Sequence, residues 1–433
     1  MAIWEEKYEC CPREELQQLQ LERLQSSLNR AYKNVSFYRK IFDEKKIVPE
    51  DVSTLEQFKH LPFTNRKDLH NNYPYGLFAV PLREVVRIHT TTETIDSPTV
   101  IGYTRNDLKN WGMLVARFLT AGGVTHDDVM QISFHYGLFT GAFGLHAGAE
   151  RIGASVIPAS SEHTDQQIRI MQDYRTTVLV STPSFALILA ERLNKLGIDP
   201  KTLTLKKGLF GGEAWSEKTR KQIEECLFID AFDNYGVSEL MGPGIAGECA
   251  AKNGLHIFED HFLPEIIDPK TCALLPPGQS GELVLTTLSR EAFPLLRYRT
   301  GDITSLDYAQ CDCGRTLARM KRVMGRVDDV IIFKGVNVVP EQIEKVLKEI
   351  EGCEPHYQII LTREEYRDIL EVQVAVSENI FFDEMKRQRS LLDQIRNALI
   401  HRLGIKVQVK LVERKTLEES LKQAGNVIDK RVL

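Results

Sequence analysis

Residues 231–261, AFDNYGVSELMGPGIAGECAAKNGLHIFEDH, decide how the chain is read. The stretch opens as the end of an apolar strand and breaks at Asn234-Tyr235-Gly236. It then sets a hydroxyl, Ser238, beside a carboxylate, Glu239. Open α/β sheets hold ligands where a strand ends and turns sharply. Hydroxyl and carboxylate oxygens are hard donors, suited to a Mg2+ carried by a nucleotide phosphate. So short a motif also fits a solvated surface turn, and its meaning depends on its surroundings.

Upstream, candidate strands at 129–134, 154–157, 177–180, 205–210 and 228–233 alternate with helical periods at 141–151, 164–174, 184–196 and 216–225. Repeated β-α-β implies a mostly parallel sheet with helices on both faces. Two more strand ends are unusual: the aromatic run Phe134 to Phe139 (FHYGLF), and Gly211-Gly212-Glu213-Ala214-Trp215. With Tyr235-Gly236 they put three aromatic or glycine-rich loops on one sheet edge, which suits a pocket for an aromatic group and a nucleotide. Any one of them alone would pass as core. Further upstream, Leu16, Leu21, Leu24, Leu28, Tyr32 and Val35 recur at helical spacing, and residues 85–104 read as two strands around a hydroxyl-rich loop. That loop has no glycine between His89 and Ile101 and carries two carboxylates, so on its chemistry it reads as a hydrogen-bonded hairpin and not as a phosphate cradle.

Beyond 255 the alternation stops. Period-two strands at 262–267, 281–287 and 295–298 imply a small antiparallel subdomain spanning about 255–325. It leads into Tyr298-Arg299-Thr300-Gly301-Asp302, read as a turn whose carboxylate could take two ribose hydroxyls. Cys311-Asp312-Cys313-Gly314 has the form of a metal knuckle, and Cys249 and His256 supply two further ligands. Three thiolates and one imidazole match a closed, structural zinc site. The other five cysteines, Cys10, Cys11, Cys226, Cys272 and Cys353, read as ordinary thiols. The charged run Gly325-Arg326-Val327-Asp328-Asp329 separates two compositional regimes and suits an interdomain hinge. The division expected is an N-terminal domain over 1–327 and a small, mobile α+β domain over 328–433, with strands at 330–333, 357–361, 370–376 and 407–412 and helices at 340–350 and 383–403.

A chain of 433 residues with 42% hydrophobic content and 27% charge is an ordinary soluble multidomain protein. Its formal charge of −5 argues against nucleic acid or an anionic membrane as partner. The polar N-terminus is not a signal peptide, no run is long enough for a membrane span, and eight cysteines suit reducing cytosol, so a cytoplasmic location is expected. The assembly is open, a homodimer being one choice.

These motifs, taken in order from Tyr136–Gly153 (YGLFTGAFGLHAGAERIG) through Gly212–Trp215, Tyr235–Pro243, Glu259–Phe262, Arg297–Asp302, Cys311–Thr316 and Gly325–Pro340, resemble the phenylacetate–CoA ligase family over nearly the whole length. That family is a branch of the adenylate-forming superfamily. The resemblance implies a two-step reaction: a carboxylate joins AMP with loss of pyrophosphate, the C-terminal domain rotates, and the CoA thiol attacks the acyl-adenylate. It implies ATP, Mg2+, CoA and a small aromatic or aryl-acetic acid as ligands. Position by position, Asp302 resembles the ribose carboxylate, Glu239 the Mg2+ ligand, Ser238 the phosphate-contacting hydroxyl and Arg326 the arginine reaching ribose or phosphate. Glu213 and Asp233, with Asn234, Tyr235 and Gly236, fall on the nucleotide side. Tyr136, Phe139 and Gly211 resemble the acyl-pocket wall, Asp328 the hinge, and the cysteine–histidine quartet the zinc of the metal-bearing members.

Two motifs depart from the pattern. Where the family's phosphate loop reads roughly S-S-G-T-T-G-K-P-T, residues 91–99 read TTETIDSPT, with Glu93 and Asp96 for the glycines and Ser97 for the lysine. Where the family reads like S-E-G-K-A-x-R-V-I-D, residues 420–429 read SLKQAGNVID, placing Gln423 at the catalytic lysine and Lys422 beside it. These changes are expected to impair adenylation. The alternatives they leave are a related adenylating synthetase of the deazaflavin type and a degenerate nucleotide- or acyl-CoA-binding protein.

Overall fold

The computed structural model describes residues 2–91, 98–160, 163–328, 330–350, 352–364, 367–376 and 385–431; the side chains of 341, 354, 355, 385, 386 and 422–424 lie outside the description. Among the described residues, one compact unit comprises 2–91 with 98–327, and a second begins at Asp328.

The first unit is built on a nine-stranded sheet ordered Leu306–Asp307, Arg319–Met320, Leu255–Ile257, Gly242–Glu248, Asp230–Val237, Lys207–Phe210, Val178–Ser181, Val129–Ile132, Ser155–Ile157. The last five strands are parallel to one another, and the first four add on antiparallel. The sheet therefore changes direction at residue 242, earlier than the loss of β-α-β periodicity at 255 suggests. A separate four-stranded antiparallel sheet contains Phe262–Ile267, Gly281–Thr287, Tyr298–Thr304 and Gly325–Arg326.

Two expected turns are strands. Asp230–Val237 runs unbroken through Asn234-Tyr235-Gly236, because Gly242–Glu248 returns along it with a register shift between Tyr235 and Gly236. A Cβ on Gly236 would stand 2.4 Å from the Gly242 carbonyl oxygen, so this glycine answers strand crowding, and the turn falls at 238–241. Likewise 298–302 lies inside a strand. Gly301, at φ +79°, lets the chain bulge there between the pairs Glu282–Ile303 and Val284–Arg299.

Helix Arg105–Ala121 starts in a capping box: Thr104 Oγ1 accepts the Asp107 N–H and Asp107 accepts the Thr104 N–H, both at 3.0 Å. It packs closely on helix Gly141–Ile152, where Cβ atoms at Gly144 and Gly148 would come within 2.4 Å of Trp111 and 2.3 Å of Val115. That contact fixes the helix following the aromatic loop 133–140. The amphipathic N-terminal helix is present as Arg13–Asn34, with Leu16, Leu24 and Leu28 fully buried.

The second unit has its own core around a sheet ordered Gln408–Glu413, Arg367–Val376, Cys353–Glu364, Val427–Asp429. Helices Pro340–Lys348, Met385–Leu403 and Arg414–Ala424 accompany it. The last helix and the closing strand had no expectation from the sequence. RKTLEESLKQA carries only Leu417 and Leu421 as large apolar residues, too few to show a helical period, although Leu417 is buried.

Candidate active site and metal centre

Around the shift from parallel to antiparallel pairing, the first unit gathers most of the expected nucleotide-side residues. Asp302 is buried, accepts the Tyr235 hydroxyl at 2.6 Å and is ion-paired with Arg326, its cross-strand partner. Arg326 also donates to the Thr300 carbonyl at 3.0 Å. A carboxylate held by a guanidinium on the neighbouring strand and by a phenol from the other sheet is fixed in orientation. Burial, the Asp302 charge and the hydrogen bond to it push the Tyr235 phenol well up, so it stays a donor. Glu239, also buried, accepts the Tyr298 hydroxyl at 3.1 Å, and Ser238 Oγ meets Thr140 Oγ1 at 2.9 Å.

Glu213 is held through backbone and Asp233 through charge. The Glu213 carboxylate accepts the Ser184 N–H at 2.7 Å, at the start of helix Pro183–Lys195. Asp233 donates its own N–H to Glu248 at 2.7 Å and lies 3.3 Å from Arg322, whose guanidinium stacks 4.5 Å from the Trp215 ring. Burial and the Glu248 carboxylate push Asp233 upward. Asn234 donates to the Phe210 carbonyl at 2.8 Å. A Cβ at Gly211 would sit 2.7 Å from Asn234, so the space that glycine leaves is filled by Asn234. The neighbouring Gly212, at φ +79°, instead faces the Phe134 ring.

Tyr136 and Phe139 lie on the loop joining these features, since it runs from Phe134 at Gly212 to Thr140 at Ser238. Tyr136 packs edge-on to Phe143, whose ring neighbours His89; His89 in turn contacts Tyr103 and Trp111. Sequence reading missed the supporting Tyr298, Thr140 and Arg322, which act on residues 59, 98 and 89 positions away and leave no local pattern. Asp328 is exposed at the start of the second unit. Lys422 and Gln423 fall in helix Arg414–Ala424 with side chains outside the description, and Glu93 and Asp96 lie outside the described residues.

Cys249, His256, Cys311 and Cys313 are all buried, with ligand atoms within 4.8 Å of one another. The Cys249–Cys311 sulfur separation is 3.8 Å, and Cys313 Sγ lies 3.4 Å from His256 Nε2. A tetrahedral ion at ordinary Zn–S and Zn–N lengths needs about 3.8 Å and 3.6 Å for those edges. The donor set and its spacing thus fit zinc, with four protein ligands and no position for water. Hydrogen bonding from Cys249, with help from His256, holds the Cys313 thiol far below the usual range, while Cys249 is pushed up. The knuckle is clasped by the N-terminal segment: Arg315 pairs with Glu9 at 2.6 Å and donates to the Ala2 carbonyl at 2.9 Å, and Thr316 donates to the carbonyls of Glu9 and Cys11.

The fold and this arrangement define an adenylate-forming enzyme: the AMP-binding enzyme family matches residues 108–289, and the AMP-binding enzyme C-terminal domain matches 335–431. Phenylacetate–coenzyme A ligases are 46% identical in Thermus thermophilus (93% of this chain, 90% of the relative) and 45% in Pseudomonas putida (96% and 94%). The Escherichia coli enzyme of that name is 42% identical, over 96% and 95%. A solved 2-hydroxyisobutyryl-CoA ligase, in complex with its acyl-AMP and CoA, superposes with a TM-score of 0.93 at 26% identity, covering 99% of this chain and 93% of that one. The chain belongs to the phenylacetate–CoA ligase family of AMP-forming carboxylate–CoA ligases. No helix among the described residues is long and apolar enough to cross a membrane.

Proposed function

We propose that the chain activates a small aryl-acetic acid with ATP and transfers the acyl group to CoA. The observation that carries this reading is the Asp302 carboxylate, held between Tyr235 and Arg326 beside the Ser238-Glu239 turn. In it, Asp302 takes the ribose hydroxyls, Arg326 reaches ribose or phosphate, and Ser238 donates to phosphate. Glu239 would hold the Mg2+, which offsets phosphate charge when bound. Asp233, Asn234, Tyr235, Gly236 and Glu213 flank the nucleotide, and Tyr136 and Phe139 wall the acyl group. The four-ligand zinc is structural, Asp328 is the hinge of a 1–327 and 328–433 division, and the protein resides in the cytosol, where its eight cysteines, none in a disulfide, stay reduced.

The adenylation half-reaction is proposed to be slow relative to the family. Attack at the α-phosphate builds negative charge that fixed donors must offset. Glu93 and Asp96 add like charge where the family has glycine, and Gln423 supplies no positive charge. Loss of one preorganised donor costs about 10²–10³ in rate. Aryl-acetate-dependent ATP–pyrophosphate exchange tests this directly: weak exchange with measurable AMP and CoA affinity is expected. Robust exchange abolished in Lys422→Ala would assign the lysine role to Lys422. Robust exchange surviving that change would overturn the reading of both motifs.

A further inference from the structure

Helix Gly141–Ile152 carries His146 and Glu150 one turn apart, on the helix that follows the aromatic loop. His146 Nε2 lies 3.1 Å from Glu150 Oε1, and His146 Nδ1 lies 3.2 Å from the Tyr136 hydroxyl. The three groups form a chain from a carboxylate, through an imidazole, to a phenol at the expected acyl-pocket wall. We infer that His146 and Glu150 fix the hydrogen-bond polarity of Tyr136, so that the pocket favours an aryl acid whose ring carries a hydrogen-bond donor, such as a phenolic hydroxyl. This rests on the proposed reading of Tyr136 as acyl-pocket wall.

The polarity follows from what each group can do. A carboxylate only accepts, so Nε2 must carry the hydrogen it shares with Glu150. In the neutral imidazole Nδ1 is then an acceptor, and the Tyr136 O–H must donate to it. The phenol's one hydrogen is thereby turned toward the helix, leaving only oxygen lone pairs for a ligand. Burial pushes the Tyr136 phenol up, so it keeps that hydrogen. The ring is held in place, which keeps the hydroxyl at His146 Nδ1. Phe143 meets it at 5.3 Å and 77°, the His146 ring at 6.0 Å and 85°, and its backbone N–H reaches Ser160 Oγ at 3.4 Å. A ring hydroxyl reaching Tyr136 finds an acceptor, whereas a fluorine of similar size has no hydrogen to give. His146 and Glu150 are positioning residues in this scheme, acting through Tyr136.

The test compares CoA-thioester formation from phenylacetate, 4-hydroxyphenylacetate and 4-fluorophenylacetate in the full chain and its variants. KM for the fluoro acid should exceed that for the hydroxy acid by about 3- to 10-fold, the range of one net hydrogen bond. The ratio should fall toward one in Tyr136→Phe and in His146→Leu while the kcat ratio of the two acids stays put. It should recover in part in His146→Asn, whose amide oxygen can stand near the Nδ1 position. A ring that merely anchors the loop would shift all three KM values together. Equal KM values for the two substituted acids in the wild type, or a ratio that survives Tyr136→Phe, overturns the inference and leaves the parent function intact. Should the variants fail to fold, calorimetric binding of the same two acids to wild-type protein decides by the same ratio. No thioester from any of the three acids overturns the parent function and this inference together.

Discussion

Asp260 and His261 are adjacent in sequence and both buried, with His261 Nε2 3.3 Å from Asp260. Burial alone would raise Asp260, but the charges of His261, Arg117 and Arg23 outweigh it and hold the carboxyl at about 2; Arg117 grips both its oxygens at 2.7 and 3.0 Å. Burial lowers His261 to about 4, against the pull of Asp260. A base depressed in the fold contributes stability that is present above its unfolded value near 6.5 and is lost as pH falls toward 4. The depressed acid adds a loss from about pH 4 toward 2. We predict that urea midpoints fall between pH 7 and 4.5, with His261 accounting for about 3 kcal/mol. His261→Gln should flatten that slope; a parallel slope in wild type and variant would count against it. A second residue-scale prediction concerns Gly211→Ala, whose Cβ would press on Asn234 at 2.7 Å. A lowered melting temperature is expected, equivalent to about 1–3 kcal/mol of overpacking, and an unchanged one would show that Asn234 moves freely. At this scale the sequence named Asp302, Glu239 and Ser238, because they stand in compact motifs. It could not name Tyr298 or Thr140, whose hydroxyls arrive from other elements.

Among elements, the cysteine–histidine quartet joins parts far apart in the chain. Cys249 follows strand Gly242–Glu248, His256 lies on Leu255–Ile257, and Cys311 and Cys313 fall in the chain between the two short strands at one end of the same sheet. We expect about one zinc per chain, and its removal by a chelator, or Cys313→Ser, should lower the melting temperature. The same treatment should expose residues 2–13 to protease first, since Arg315 and Thr316 hold that segment to the knuckle. Metal-free protein that resists both heat and protease as before would rule out a structural metal. The quartet was readable because Cys-x-Cys-Gly is rare outside metal sites. The direction of strand Gly242–Glu248 was not, because GPGIAGE is too rich in glycine to show period two. The clasp by Glu9 was equally hidden: a glutamate in a polar N-terminus looks solvated until Arg315 arrives from 306 residues away.

For the whole molecule, the β-α-β alternation was legible in the sequence as the five parallel strands of the large sheet, and the last helix was lost only for want of apolar residues. A ligase with two half-reactions needs two sets of groups at one site, which gives a hinge its use. Asp328→Pro fixes φ near −65° and removes an N–H. It should slow one half-reaction much more than the other in single-turnover assays, and equal slowing of both would place the hinge elsewhere. Synthesis order makes its own demand. Helix Arg13–Asn34 buries Leu16, Leu24 and Leu28, yet its polar grips reach Glu259, Asp260, Thr287 and Thr316, up to 303 residues later. At roughly 5–20 residues per second, the ribosome needs about 15–60 s to supply the last of them. Through that interval the helix can pack only on its early neighbours, Ser36–Lys45 and Pro49–Asp51, and its polar grips on the later strands stay unmade until residue 316 has emerged. One of the first helices made is among the last to be fully gripped.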